Sequence, residues 1–317
     1  MLVNNNGVSQ VTISEAQAGQ RIDNFLLKHL KGVPKSHIYR LLRSGQIRIN
    51  SGRKKPHYKL QAGDNLRLPP IHMDEGQDTL VPERVMQSLK QAIIFENDDI
   101  IAINKPSGIA VHKGSGLRFG IIEAFRQLIP EQPLELVHRL DRETSGCLLL
   151  AKNRQILARL HELLRHEKTV YIEKTYIALL DGLWQGENRT IDIGMSKIKR
   201  GGEHIMQIDK DGDRAISHFS PLELFDHDTH PCSLMKITIE TGRTHQIRAH
   251  AQHTGHPVAG DSKYGDKASN RLFRELGLKR LFLHAQQLYL PLANPISIQA
   301  PVSDDLSTLI EKLRHQH

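Results

Sequence analysis

The stretch LVHRLDRETSGCLLLAK places one carboxylate among guanidinium groups, because Arg139 and Arg142 lie on either side of Asp141. Opposite charges 4 Å apart attract by about 4 kcal/mol at an effective dielectric constant near 20, and such a neighbour lowers a carboxylate pKa. A carboxylate held ionised is a poor general acid at neutral pH. It can instead act as a nucleophile or stabilise a cationic, sugar-like transition state. Taken alone, these residues still fit a structural ion pair better than a catalytic group.

Two later segments contain polar side chains that could join Asp141 in one site. EKTYIALL places Tyr176 on an alternating strand, and TGRTHQIRAH contains Arg243, His245 and Arg248. If a helix begins just before His245, then His245 and Arg248 lie on one of its faces. Taken singly, Tyr176 fits a half-buried strand residue and Arg248 fits the surface of a helix. Neither residue establishes a site by itself.

The elements that must position these side chains mix strands and helices from about residue 91 onward. Strand patterns occur in IIFENDDIIAINKPSG, KTYIALLDG, HFSPLELF and SLMKITIE. Apolar residues recur at helical spacing over 154–167, and HQIRAHAQHTG predicts a helix that ends at Gly255. There is no steady strand–helix–strand alternation and no internal repeat. This pattern favours an α+β fold with a mixed, mostly antiparallel sheet flanked by helices.

A basic block lies near the start of the chain. Residues 21–70 contain twelve Lys or Arg against two Asp, whereas the whole chain has a net charge of only +8. A charge so concentrated predicts a polyanionic partner, with a well-solvated basic surface as the alternative. The block is predicted to contain two helices, the second running from Pro34 to Gly45, followed by short strands in QIRIN and LRL. The cations expected at its surface are Lys35, Arg40, Arg43, Lys54 and Lys55.

Composition excludes several classes of protein. No apolar run approaches the 18 residues of a membrane span. The segment MLVNNNGVSQ lacks the features of a signal peptide. We therefore expect a cytoplasmic protein without membrane association. Cys147 and Cys232 fit reduced core positions. No glycine-rich phosphate loop is present, so no nucleotide cofactor is expected. The histidines lack a pattern such as HExxH and a nearby cysteine, so no metal is expected at His245, His250, His253 and His256.

Two sets of motifs resemble known families. RIDNFL, SHIYRLLRSGQIRIN and LQAGDNLRL resemble the S4 RNA-binding module. HRLDRETSG, KTYIAL and TGRTHQIRAH resemble the three motifs of the RluA-type pseudouridine synthases, and INKPSG, GHPVAGDSKYG and RLFLHA extend the match over most of 91–300. The departures are small: KTYIALL has Leu where many members have Val, and YLPLANP lacks a His-Pro pair. The predicted parts are a tail at 1–18, an S4 domain at 19–80, a linker at 81–90 and a catalytic domain at 91–317.

The resemblance implies the pseudouridine synthase fold with a small N-terminal S4 (α-L) domain. It also implies site-specific isomerisation of uridine to pseudouridine in 23S ribosomal RNA or a large-subunit precursor. The product is an isomer of the substrate, so no cofactor and no metal is required. A monomer is also expected. Asp141 would be the catalytic carboxylate, adding to C1′ or removing the 2′ proton, with Arg248 as its ionic partner and Tyr176 against the flipped uracil. Arg139 would help to hold the nucleotide out of its helix. The other residues expected to bind RNA or substrate are Lys105, His138, Arg142, Arg243 and His245.

Two alternatives remain open at this stage. A noncatalytic RNA-binding or ribosome-assembly protein could keep the fold without turnover, although the intact set of Asp141, Tyr176 and Arg248 argues against it. An RNA N-glycosidase could also use a carboxylate at C1′, but it would release free uracil, whereas an isomerase releases nothing. The sequence does not indicate which uridines are modified, or whether the substrate is free RNA or an assembling subunit.

Overall fold

The computed structural model describes residues 7–30, 33, 35–70, 80–113, 119–165, 171–200 and 203–315. They form two compact units that divide between Leu80 and Val81, and each unit has its own hydrophobic core. Within this described part, no helix has the length and apolar character needed to cross a membrane.

The smaller unit contains two α-helices and a three-stranded antiparallel sheet in the order β1-β3-β2. Its elements are β1 (Ser9–Thr12), α1 (Ile22–His29), α2 (Lys35–Ser44), β2 (Arg48–Ile49) and β3 (Asn65–Leu68). The apolar stripe predicted in GQRIDNFLLKHL is the buried face of α1, where Ile22 and Phe25 are fully buried. Gly45 follows α2 with a φ of 71°, as expected of a residue that ends a helix. Pro34, the predicted start of that helix, lies outside the described residues.

The larger unit contains the remaining strands and helices. In chain order they are α3 (Glu83–Gln91), β4 (Ile93–Glu96), β5 (Ile100–Lys105), α4 (Ile121–Leu128), β6 (Glu135–Leu136), β7 (Ser145–Ala151), α5 (Arg154–Leu164), β8 (Glu173–Asp181), β9 (Arg189–Asp192), β10 (Met195–Arg200), β11 (Glu203–Ile208), β12 (Ile216–Phe225), β13 (Cys232–Ile239), α6 (Gln246–His253), α7 (Lys267–Glu275), β14 (Leu283–Leu290), β15 (Ile296–Gln299) and α8 (Asp304–His315).

One large sheet organises this unit in the order β4-β5-β7-β14-β8-β13-β12-β9, with β15 beside β14 and β6 beside β7. Among the described strands only β7 and β14 pair in parallel, so the predicted α+β fold with a mostly antiparallel sheet is confirmed. The register brings two distant segments together. Ser145 lies opposite His284 and Tyr176 lies opposite Ala285, which are neighbours on β14. The start of β7 and the middle of β8 therefore meet at the same level of the sheet.

The strand β7 is buried along its whole length, because both faces of the sheet are covered. Leu148 and Leu150 pack with Phe125 of α4, whereas Leu149 packs with Leu160 of α5 on the other face. The two cysteines are buried free thiols, as predicted. A rigid strand thus fixes the turn that immediately precedes it.

The interpretation of residues 81–90 as a linker is corrected by the structure. Most of the segment lies in α3, and both Val81 and Leu89 are buried in the core of the larger unit. The sequence pattern did not predict this helix, because its exposed face is polar and only a few apolar residues, including Val85 and Met86, pack inward. Residues 71–79 lie outside the described part of the chain.

Candidate active site

Asp141 lies in the turn that leads into β7. The amide of Thr144 donates to the carbonyl oxygen of Asp141 (3.2 Å), which closes the turn. A second loop supports it from the side: Lys105 Nζ donates to the carbonyl oxygen of Arg142 (3.1 Å), and Ser107 Oγ donates to that of Glu143 (2.6 Å). The KPSG segment of the INKPSG motif therefore anchors the carbonyl groups of the two central residues of the turn.

Arg248 is the arginine nearest to the Asp141 carboxylate. Its Nη1 lies 3.5 Å from Asp141 Oδ2, and its side chain is only 2% exposed. Burial acts to lower the pKa of Arg248, but hydrogen bonds and charge from Asp261, with further charge from Asp141, raise it overall. The guanidinium is thus a permanent positive charge. The alternative interpretation of Arg248 as an exposed residue on the surface of a helix is therefore ruled out.

The two arginines that flank Asp141 in the sequence do not contact its carboxylate. Arg139 Nη2 approaches Thr244 Oγ1 (3.4 Å), and Arg142 Nε donates to the carbonyl oxygen of Gly108 (3.0 Å). The turn sends their side chains in different directions. The expectation that these neighbours pair with the carboxylate is corrected, since the nearest arginine comes from α6.

His245 occupies a strained position directly before α6. The helix begins at Gln246, and His245 has a φ of 52°, in the left-handed region that few non-glycine residues adopt. Its Nδ1 lies 3.0 Å from the hydroxyl of Tyr264, and its Nε2 lies 3.9 Å from Asp141 Oδ2. Burial lowers the pKa of His245, with the Asp141 charge opposing it, so the imidazole is predominantly neutral at pH 7.

Tyr176 reaches the same cavity from β8 and is 8% exposed. Burial, and then the negative charge of Asp141, raises the pKa of its phenol. The hydroxyl therefore stays protonated at neutral pH. The ring gives the cavity an apolar wall together with Ile239 and Leu283.

One cavity unites most of the residues that the motifs predicted. An adjoining space is also bounded by Asp141 and adds Arg142 and Lys263 to the lining. Three motifs distant in the sequence thus converge on one carboxylate. The predicted residues that line the first cavity are Arg139, Asp141, Tyr176, Arg243, His245 and Arg248.

Two of the predicted RNA-binding residues form hydrogen bonds with the protein backbone, Lys105 as a buried side chain and His138 as a half-buried one. His138 Nε2 accepts the amide N–H of Leu149 (3.2 Å), and burial followed by the charge of Lys174 lowers the pKa of His138 to about 4. Lys105 is fully buried and donates to three backbone carbonyl groups. The full burial of Lys105 corrects its assignment as an RNA contact, whereas an RNA contact by the half-buried His138 stays a prediction.

The predicted cations of the smaller unit have a different environment. Arg43 and Lys55 are exposed. Lys54 Nζ lies 4.6 Å from the ring centroid of Tyr58. The remaining two are Lys35, whose Nζ is 5.8 Å from the ring centroid of Tyr39, and Arg40, which contacts His37.

Sequence reasoning missed two residues that surround Arg248. Asp261 is fully buried and accepts hydrogen bonds from Arg248 Nε and Nη2, each 2.7 Å long. The ring of Tyr264 lies 5.2 Å from the Arg248 guanidinium carbon. Both belong to GHPVAGDSKYG, which was noted as a motif without a role for its side chains. Within the described residues, no cluster of three or more His, Cys, Asp or Glu is arranged to hold a metal ion.

Comparison with known proteins agrees with this geometry. Residues 99–253 match the RNA pseudouridylate synthase family and residues 20–66 match the S4 domain. The chain is 47% identical to ribosomal large subunit pseudouridine synthase C of Pasteurella multocida, covering 98% of this chain and 96% of that protein. It is 45% identical to the protein of the same name from Escherichia coli K12, covering 97% of each.

The fold has a counterpart among solved structures. Human RNA pseudouridylate synthase domain containing 4 superposes with a TM-score of 0.59 at 24% identity, covering 75% of this chain and 97% of that one. This likeness shows the fold. The family match and the sequence relatives show that the chain belongs to the RluA-type RNA pseudouridine synthases, which are isomerases, and carries an S4 domain at its N-terminus.

Proposed function

We propose that this protein converts specific uridines of 23S ribosomal RNA to pseudouridine, with Asp141 as the catalytic carboxylate. The relatives that match almost the whole chain carry the name of a large-subunit ribosomal enzyme, which supports this substrate. The observation that carries the proposal is the pairing of Asp141 with the buried cation Arg248 in a cavity walled by Tyr176.

The reaction moves one bond and changes no atom count. The N1–C1′ bond breaks, the uracil turns, C5 bonds to C1′, and the proton on C5 is replaced by one on N1. Asp141 can start this sequence by adding to C1′ or by removing the 2′ proton, and both routes need an ionised carboxylate with a free oxygen. No hydrogen bond to the Asp141 carboxylate is found among the described residues, so both oxygens can face the ribose.

The other cavity residues bind and orient the nucleotide. The target base must leave its stack before Asp141 can reach the ribose, which costs a few kcal/mol. Arg139 is exposed at the edge of the cavity, where its charge can grip a phosphate of the displaced nucleotide. Tyr176, with a protonated hydroxyl, packs against the uracil. Arg142, Arg243 and His245 supply further polar contacts to ribose and phosphate.

The smaller unit contributes affinity for RNA rather than chemistry. Its cations make phosphate contacts that orient the enzyme on ribosomal RNA without reading the sequence. The enzyme acts as a monomer in the cytoplasm, on RNA that it recognises by loops and shape.

The test is a map of pseudouridine in ribosomal RNA from a strain that lacks the gene. Carbodiimide modification with primer extension is applied after complementation with wild-type protein or with Asp141→Asn. Large-subunit stops that vanish in the deletion and return only with wild-type protein are the expected result. An unchanged ribosomal pattern would refute the substrate.

A further inference from the structure

Arg248 makes its strongest contacts with Asp261 rather than with Asp141. Nε and Nη2 of Arg248 form two parallel hydrogen bonds of 2.7 Å to the two oxygens of Asp261. The remaining nitrogen, Nη1, lies 3.5 Å from Asp141 Oδ2. Two side-by-side bonds of this kind are the strongest arrangement between an arginine and a carboxylate. The pair Nε and Nη2, the fork of the guanidinium, is therefore engaged with Asp261. Only the edge that carries Nη1 faces Asp141.

The loop that carries Asp261 is itself fixed. Asp261 Oδ1 also accepts the amides of Lys263 (2.8 Å) and Tyr264 (3.0 Å). Asn270 of α7 donates from Nδ2 to the carbonyl oxygen of Asp261 (2.8 Å). With the Tyr264 ring beside its guanidinium, Arg248 has one well-defined position.

This arrangement matters because an arginine offers a carboxylate two different kinds of partnership. A fork closed on Asp141 would occupy both of its oxygens and hold them away from the ribose. An edge at 3.5 Å supplies positive charge and leaves the oxygens open. Asp261 competes for the fork and decides between the two arrangements.

We propose that Asp261 is a positioning residue that holds the fork of Arg248 away from Asp141, so that Arg248 supplies charge to Asp141 without closing over its reactive oxygens. The proposal rests on the proposed catalytic role of Asp141. It extends that role to a second carboxylate that has no contact with the substrate.

The test begins with Asp261→Asn, which keeps the shape of the side chain and removes its charge. The freed fork then turns to the carboxylates that remain beside it, Asp141 at 3.5 Å and Glu143 at 3.8 Å. Either movement displaces the charge beside Asp141, and single-turnover rates on a ribosomal RNA fragment should fall roughly 10- to 100-fold. The Kd for the same RNA should stay within twofold, because the Asp261 side chain is fully buried. Glu223→Gln is the matched control, since Glu223 also accepts two hydrogen bonds from one arginine, Arg314.

A double-mutant cycle separates positioning from a general structural effect. In the Arg248→Lys background there is no fork to hold, so adding Asp261→Asn should change the rate by less than twofold. If Asp261→Asn does not fold, Asn270→Ala, which loosens the Asp261 loop, should give a smaller rate loss at unchanged Kd. Two results overturn the proposal: a folded Asp261→Asn protein with a wild-type rate, or equal losses in both backgrounds. Failure of the proposed function would show separately, as full activity in Asp141→Asn.

Discussion

His138 should contribute to the response of the larger unit to acid, as should His250, whose pKa burial also lowers to about 4. The place of His138 in HRLDRETSG had suggested an RNA contact. Its Nε2 accepts the amide N–H of Leu149, which requires a neutral ring, and burial lowers the pKa of His138 from 6.5 to about 4. The unfolded chain therefore binds a proton between these two pH values and the folded chain does not. Stability is thus fully present above pH 6.5 and is lost as the pH falls toward 4.

The magnitude follows from this difference in proton binding. Integration from pH 7 to pH 5 for His138 alone gives a contribution of about 2 kcal/mol to the loss in the free energy of unfolding. His138→Gln keeps a hydrogen-bond acceptor but cannot titrate, so it should lose about 2 kcal/mol less than the wild type over the same range.

The assay is urea unfolding followed by the fluorescence of Trp184, the only tryptophan in the chain, which is buried in the larger unit. His161→Gln, on an exposed position of α5, is the control and should behave as the wild type does. The reasoning is refuted if the wild type and His138→Gln lose equal stability on acidification.

Three further perturbations test other parts of the structure. Lys105→Met removes the donor from three carbonyl groups around the candidate site. Urea unfolding should show a loss of about 3 kcal/mol or more in stability. Single-turnover measurements should show a fall in the chemical rate that exceeds any loss of RNA affinity. A wild-type rate would contradict this. Gly146→Ala should prevent β7 from approaching β14 and lower the melting temperature. Gly146 has a φ of 110°, and a Cβ at this position would lie 2.2 Å from the carbonyl oxygen of Ala285. A melting temperature equal to that of the wild type would contradict this. Replacing both Arg43 and Lys54 by Ala should weaken RNA binding at low salt and reduce the slope of log Kd against log salt by up to about 2, while the chemical rate on saturating RNA stays constant. Unchanged affinity across the salt range would exclude these two cations from the RNA interface.

Much of the fold was predictable because its signals are local. The stripe of Ile22 and Phe25 marked α1, and the alternation around Tyr176 marked β8. The motifs also predicted that Asp141, Tyr176 and Arg248 would share one cavity. That prediction came from the family resemblance, since the residues taken singly favoured structural roles.

What the sequence could not show was the direction in which side chains point. Arg139 and Arg142 are close to Asp141 in the chain, yet their side chains contact other groups, and the arginine nearest to its carboxylate comes from α6. The pairing of Asp261 with Arg248 was not predicted, because it joins a helix to a loop and produces no periodic pattern in the sequence. Side-chain pairing of this kind depends on tertiary packing, which local patterns do not encode.

The most direct test of the account is the amount of pseudouridine that purified protein forms in 23S ribosomal RNA transcribed without modification. Wild-type protein, Asp141→Asn and the control Asp304→Asn, an exposed position at the start of α8, are compared by nucleoside mass spectrometry. The account predicts stoichiometric pseudouridine at defined sites with wild type and control, no free uracil, and none of the product with Asp141→Asn although RNA binding persists. Pseudouridine formed by Asp141→Asn at the wild-type rate would contradict it.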